Sequence, residues 1–300
     1  MNVRASARNN VDGWVVLDKS AGMTSTHAVS RLKRLFNAKK AGHAGTLDPL
    51  ATGVLPVAFG EATKTVPFVQ DGEKAYRFTV RWGAETDTGD SGGRVAARSD
   101  ARPAAAGILA LLPQFTGTIQ QLPPSYSAIK INGERAYDLA RGGQVPVLSP
   151  RPVTIYALYL IEAGRDEAVF EARCGKGTYV RAIARDLGRS LGCYGHVSAL
   201  RRTRVGPFYE TDAVTLPDLG DDARRADAFR RVEAGLAEVP RVLVDSSVAA
   251  RLRRGQPILL RGHGAPLHGF AYAACRGVVI AVGLVEKGEL IPGRVFNLPL

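Results

Sequence analysis

The sequence predicts an α+β fold, a mixed sheet flanked by helices with a small β-rich unit at the C-terminal end. Three observations lead there. Residues 76–82 (YRFTVRW) alternate apolar and charged side chains with the period of a half-buried strand, and "VTIYALYLIEA" and "EAVFEARC" alternate like neighbouring strands. Two other segments carry apolar residues at helical spacing: Ala28, Val29, Leu32, Leu35 and Phe36, then Val180, Ile183, Ala184 and Leu187. From Pro240 onward the pattern changes to short strands broken by frequent glycine. With 300 residues, 45% hydrophobic and 23% charged, the chain has enough apolar surface for a core without disulfide staples.

Taken in order, residues 1–10 read as a disordered lead, because their basic residues are followed by no apolar segment. "GWVVLDK" (13–19) reads as a buried strand, and the loop "SAGMTSTH" offers N-caps for the first helix, whose other face carries Arg31, Lys33 and Arg34. "GEATKTVPFVQ" predicts one short helix interrupted by Pro67, "ETDTGDSGG" a turn-rich loop, and "ARPAAAGILALLPQF" a helix ending near Pro113. The stretch 120–152, rich in Pro, Gly and basic residues around a short helical centre, reads as a long excursion from the core, and such excursions are usually functional or mobile. A glycine turn then leads into a helix expected to be capped near Thr178, and residues 212–237 are polar and acidic. The expected organisation is a catalytic unit over 11–239 and a second unit over 240–300.

Forty Lys and Arg against 28 Asp and Glu give a formal charge of +12. A surplus of this size favours a polyanionic partner, since each neutralised phosphate releases counterions; an Arg-rich genome gives the same tally. The distribution favours an extended nucleic acid, with clusters at Arg31, Lys33, Arg34, Lys39 and Lys40, at Arg201, Arg202 and Arg204, and at Arg251, Arg253 and Arg254. Three scattered cysteines (Cys174, Cys193, Cys275) argue against a disulfide framework and for a reducing, cytoplasmic setting. No apolar run is long enough to span a bilayer.

Familiar cofactor motifs are missing. In "GEATKT" Thr63 stands where a phosphate-binding loop needs its second glycine, no GxGxxG follows a strand, and Cys193 and His196 form half a zinc spacing with no second pair. No HExxH or GxSxG occurs. Chemistry here is expected to run on side chains alone, with no cofactor and no metal.

The most unusual stretch is "AGHAGTLDPLATGVLPV" (41–57), where one acid, Asp48, sits among apolar and turn-forming residues. An Asp-Pro step in a loop is most often a turn or cap residue. If Asp48 is instead buried and ionised, a cation must stand close, and Arg181 at a helix start is a candidate; a carboxylate held this way serves as nucleophile or general base. His43 is either a loop hydrogen-bonder or a base contact. Tyr76 is a core residue by default, or a ring offered to a base at the strand's edge. Tyr179, next but one to Arg181, fits a nucleic-acid contact pattern.

These residues also resemble a known family. "GHAGTLDPLATGVLPV" is similar to the signature of the bacterial tRNA pseudouridine-55 synthases, the TruB family. "GWVVLDKSAGMTS", "GEATK", "YRFTVRWGAETDTGD", "PPSYSAIKINGERAYDLARGG", "CGKGTYVRAIARDLG" and "HVSALRRTRVGPF" resemble its other blocks in the same order, over roughly the first two-thirds of the chain. The resemblance implies a pseudouridine synthase fold with a mainly antiparallel sheet, a PUA-like RNA-binding domain over 240–300, and an RNA-gripping insertion over about 120–152. It implies isomerisation of the uridine at position 55 in the TψC loop, flipped out to reach Asp48 as nucleophile. His43 then takes part in the rearrangement, Tyr76 packs on the base, Tyr179 and Leu200 line the pocket, Arg181 partners Asp48, and Lys19, Lys64 and Asp90 support the site. The implied partner is the T arm of tRNA, with no membrane and no obligatory protein partner, the enzyme acting as a cytoplasmic monomer. One departure is Ser20, which follows Lys19 where the family often has proline. Two other classes suit parts of this pattern: an RNA-remodelling binding module, and a phosphate-handling enzyme, which the absent loop motif disfavours.

Overall fold

A computed structural model describes residues 8–127, 129–131, 134, 135, 148–260 and 266–300. The first strands are β1 (Gly13–Lys19), β2 (Ala41–His43), β3 (Thr52–Phe59) and β4 (Lys74–Trp82). A small hairpin, β5 (Ala84–Thr86) and β6 (Val95–Arg98), precedes β7 (Gly117–Gln121). Within the excursion, β8 (Lys130–Ile131) pairs with β9 (Glu134–Arg135). Then come β10 (Arg151–Ala163), β11 (Glu167–Cys174), β12 (Gly195–Val205), β13 (Phe208–Tyr209) and β14 (Phe229–Arg230).

The central sheet runs β14-β1-β3-β12-β4-β11-β10-β7, with β2 pairing β3 and β13 pairing β12. Its pairings are antiparallel except β3–β12, so the sheet is mixed and mainly antiparallel as expected. That parallel contact joins chain segments about 150 residues apart and brings the "GTLDPLATG" loop beside the "LRRTR" strand. On one face of the sheet a core forms around Leu17, Leu55, Phe78, Val80 and Phe170, covered by the helices Ser25–Leu35 and Val180–Ser190 through Leu32, Ile183 and Leu187. Each of these fully buried side chains contributes roughly 1.5–3 kcal/mol of hydrophobic stabilisation.

After Pro240 a second sheet forms from β15 (Arg241–Leu243), β16 (Ile258–Leu259), β17 (Gly269–Cys275), β18 (Val278–Glu286) and β19 (Glu289–Val295), in the order β15-β17-β18-β19-β16. Tyr272, Val282 and Phe296 share a buried cluster with Trp14, Val16 and Ala62, which packs this sheet against the central one. The joint is polar at its edge. Lys64 donates to the Val295 carbonyl at 2.8 Å, and the Asn297 amide donates to Glu61 at 2.7 Å.

Several expectations need correction. "GEATKTVPFVQ" is two helices, a 3-10 turn Gly60–Lys64 and the α-helix Val66–Asp71, and Pro67 lies in the first turn of the second, where its missing N–H costs nothing. The helix after the glycine turn starts one residue later than predicted, with Tyr179 as N-cap and Gln121 supplying the acceptor for the Tyr179 amide at 2.8 Å. Most of the expected disordered lead lies outside the described residues, but Asn9 is held by backbone bonds to Asn37 and Lys39. The ends of the predicted excursion are strand: Gln120 and Gln121 of β7 pair with Pro152 and Arg151 of β10. Its expected helical centre lies outside the described residues.

Gly53 sits at the parallel contact with φ +97°, and a Cβ there would stand 2.2 Å from the Arg202 carbonyl oxygen. Gly53→Ala is therefore predicted to cost about 3 kcal/mol through backbone strain and a clash at one point. That lowers the thermal midpoint by roughly 6–12 °C in a chain of this size. A melting curve within about 2 °C of wild type shows that the contact is not rigid.

Candidate active site

Residues 44–51 form the loop between β2 and β3 that carries Asp48. Every carbonyl from Gly45 to Pro49 has a donor. Gly45 O and Thr46 O accept from Arg202 at 3.0 and 3.3 Å, and Leu47 O accepts from the Ser25 hydroxyl at 3.0 Å. Asp48 O accepts from the Ala51 amide at 3.0 Å, and Pro49 O from the Gly22 amide at 2.8 Å. The Leu47 amide closes a second bond on Ser25, at 2.8 Å. A loop whose polar backbone is this fully paired has little freedom to reorient. Leu47 and Ala51 pack into the core on either side and turn the Asp48 side chain away from it.

Arg181 meets that side chain. Its Nε lies 2.8 Å from Asp48 Oδ2 and its Nη2 3.3 Å from Oδ1, a two-pronged contact that fixes the plane of the carboxylate. The guanidinium is itself held by the carbonyls of Thr88 at 2.7 Å and Tyr126 at 2.9 Å, and Asp90 Oδ2 lies 3.9 Å from Nε. Asp90 is fixed in turn by the Thr88 hydroxyl and the Gly92 amide. The Arg181 side chain is only 6% exposed, whereas Asp48 is 34% exposed. The apolar flanks suggested a carboxylate withdrawn from water; instead Arg181 is the buried partner and Asp48 faces an opening.

Two more cations stand beneath the loop. Lys19 is fully buried at the end of β1 and donates to the carbonyls of Ser20, Met23 and Pro49. Burial draws its pKa down to about 8, against the opposing pull of Asp48, while the charge of Arg202 lowers it further. Arg202 is 2% exposed and also donates to Val54 O at 2.9 Å. The Tyr76 hydroxyl lies against its guanidinium. Burial raises the Tyr76 pKa, and the Arg202 charge works the other way. Burial also raises the pKa of Tyr179, and the Asp48 charge reaches both tyrosines.

The fold thus gathers Asp48, Arg181, Asp90, Lys19, Tyr76 and Tyr179. His43, half-buried, ends β2 just before the loop and pairs in register with Val57. Leu200 is a core residue of β12 facing Phe78 across the strands, its carbonyl accepting from Thr52. Lys64 is not brought to Asp48. It pairs with Glu61 at 2.6 Å and lies over the Phe296 ring at the joint with the second sheet.

Arg202, Ser25, Gln121 and Thr88 were not anticipated as parts of the site. Arg202 was grouped with Arg201 and Arg204 as a nucleic-acid patch, and the structure overturns that grouping. Adjacent residues on a strand point to opposite faces. Arg201 turns outward to a paired contact with Asp18 at 2.9 and 3.0 Å and to Glu210, Arg204 pairs with Glu73 and Glu238, and Arg202 turns inward under the loop. Strand alternation separates Arg202 from Arg201; Arg204, which alternation alone would put on the Arg202 side, is set apart by the register shift between Arg202 and Arg204. The other two clusters differ. Arg31, Arg34, Lys39 and Lys40 are exposed, as are Arg251, Arg253 and Arg254, and among the described residues none has a carboxylate within 4 Å. Cys193 and His196 are structural, bonded to the carbonyls of Gly188 and Ala84. Among the described residues no helix is long and apolar enough to cross a membrane.

Comparison with known proteins gives this geometry a family. Residues 33–180 match the TruB family pseudouridylate synthase N-terminal domain, and residues 181–239 match the tRNA pseudouridylate synthase B C-terminal domain. The chain is 60% identical over 301 residues to the tRNA pseudouridine synthase B of Rhodopseudomonas palustris, covering 97% of this chain and 82% of that one. It is 50% identical to the tRNA pseudouridine synthase B of Mesorhizobium japonicum, covering 95% and 96%. In structure it is similar to a chain in the crystal structure of a Cbf5-Nop10-Gar1 complex, with TM-score 0.74 and 26% identity over 95% of this chain and 84% of that one. The matched segments supply the Asp48 loop, Arg181 and the β12 strand that joins them, and the chain belongs to the TruB family of pseudouridylate synthases.

Proposed function

We propose that this enzyme isomerises the uridine at position 55 in the TψC loop of tRNA to pseudouridine, with Asp48 as the nucleophile on a flipped-out nucleotide. The observation that carries this reading is the Asp48–Arg181 pair, a rigidly mounted carboxylate oriented through both oxygens yet open on one side. A carboxylate that is aimed and accessible is what covalent attack on a carbon centre requires. Removing the uridine from its stack costs a few kcal/mol, which binding to the T arm must offset.

Uridine and pseudouridine have the same atoms, so the reaction needs no redox partner and no group donor. Asp48 attacks the nucleotide at C1′ or C6, the bond from N1 to C1′ breaks, and the uracil turns. C5 then bonds to C1′, the carboxylate is released, and the proton displaced from C5 is passed to N1 through an intervening acceptor. In this reading Tyr76 packs on the base and is that acceptor, His43 takes part in the flipping, and Tyr179 and Leu200 wall the pocket. Lys19, Asp90 and Arg181 hold the carboxylate's surroundings, and Lys64 supports the site indirectly by fixing the second, PUA-like sheet against the first. The enzyme acts as a cytoplasmic monomer on the T arm, without an obligatory protein partner.

Turnover of a uridine-labelled T-arm hairpin tests the chemistry. Asp48→Asn is expected to bind the hairpin within about threefold of wild type and to form no measurable pseudouridine, because an amide is a poor nucleophile. Near-normal turnover by Asp48→Asn removes the assignment.

The charge distribution yields a second expectation. Replacing Arg34 and Lys39 by glutamine should weaken tRNA binding and reduce the slope of log affinity against log salt by roughly one per lost phosphate contact. Arg201→Gln, already engaged with Asp18 and Glu210, should leave that slope unchanged. The opposite pattern places the RNA on the other face of the sheet.

A further inference from the structure

Among the described residues Arg202 is the most deeply buried arginine, 2% exposed, and it has no carboxylate within 4 Å. A buried guanidinium without an ion-pair partner is costly unless its donors are used. Here they are used on the Asp48 loop. Nε binds the Val54 carbonyl where the loop enters β3, and Nη1 and Nη2 bind Thr46 and Gly45 on its other limb. The guanidinium thus clamps both limbs of the loop from below, and the Tyr76 hydroxyl, opposite Arg202 across the β4–β12 ladder, rests against it. Glycine at 53 makes the approach possible, since a Cβ there would strike the Arg202 backbone, and Gly45 takes the left-handed φ of +105° next to the guanidinium. The charged groups facing Arg202 from neighbouring elements are Asp48, Lys19 and Lys74, with the Tyr76 hydroxyl and the Cys174 thiol among its titratable surroundings.

We propose that Arg202 is a positioning residue that sets the Asp48 carboxylate and the Tyr76 hydroxyl relative to one another through a single guanidinium. This rests on the reading that Asp48 attacks the nucleotide and Tyr76 meets its base. A lysine keeps the charge but presents its donors from one point, so it cannot span both limbs of the loop and the phenol as a planar fork does. A glutamine keeps two donors and loses the charge.

The test compares Arg202→Lys and Arg202→Gln with wild type and Asp48→Asn, in single-turnover assays on a uridine-containing T-arm hairpin with hairpin affinity measured separately. Circular dichroism selects the variants that fold, and two substitutions of different size guard against one that does not. The expected result is hairpin affinity within about threefold of wild type and a single-turnover rate reduced about 100-fold in both, the scale of a small misplacement of reacting groups. The pH at which the rate declines should also move further in the glutamine variant than in the lysine variant, because only the former removes the charge beside Tyr76. A folded variant that turns over within about threefold of wild type overturns the proposal, as does a rate loss with no change in the pH profile of either variant. If Asp48→Asn keeps its turnover, the catalytic reading beneath the proposal fails, whatever Arg202 does; if Asp48→Asn is inactive and the Arg202 variants are normal, only the role of Arg202 fails.

Discussion

The ion pair between Asp48 and Arg181 joins two parts of the chain that are 133 residues apart, and the architecture around it serves to hold its two halves. On one side the loop 45–49 has each of its carbonyls paired, so Asp48 is carried on a backbone with little slack. On the other, Arg181 lies in the first turn of the Val180–Ser190 helix, anchored by two carbonyls, with Asp90 nearby. Neither half is positioned by the other alone. A contact supported from both sides keeps its geometry when solvent and substrate exchange around it, and reactions that depend on alignment benefit most from such support.

The central sheet separates two uses of charge. Its outer face carries paired residues, Asp18 with Arg201, Glu73 with Arg173 and Arg204, and Arg77 with Glu171, which together add little net field. Exposed pairs of this kind contribute modestly to stability, about 0–1 kcal/mol each. The face turned to the Asp48 loop holds Lys19 and Arg202, whose donors go to backbone carbonyls rather than to acids. Among the described residues, exposed cations with no carboxylate within 4 Å include Arg31, Arg34, Lys39 and Lys40 near the first helix and Arg251, Arg253 and Arg254 at the end of the Ser246–Arg253 helix, and these add to the positive charge available to a polyanion.

Much of this was legible in the sequence. Period-two alternation marked β4, β10 and β11, helical spacing marked Ser25–Leu35 and Val180–Ser190, and the isolated Asp48 in a turn-rich stretch drew attention to the loop. Charge balance made Arg181 one candidate for its cation, and the family resemblance implied it as the partner. Arg202 was misread because a run of basic residues looks like a patch, while a strand splits neighbouring residues between faces. Lys64 stands away from Asp48 because motif order says nothing about distance in space, and its contacts belong to the joint with the second sheet. Ser25 and Gln121 each hold one backbone residue through a pair of hydrogen bonds, Leu47 and Tyr179, and Thr88 serves Arg181 through its carbonyl and Asp90 through its hydroxyl, roles that no composition or spacing reveals.

The central claim is that the loop bearing Asp48 is already in its working geometry before RNA arrives. A crystal structure of the enzyme with a T-arm hairpin tests it most directly. The target uridine is expected out of its stack, with its sugar or base within contact of the Asp48 carboxylate and Tyr76 against the ring, and with residues 44–51 and the Arg181 and Arg202 contacts displaced by no more than about 0.5 Å, the small backbone movement of a preorganised site. A uridine bound away from Asp48, or a loop rebuilt with the Arg202 bonds broken, contradicts it.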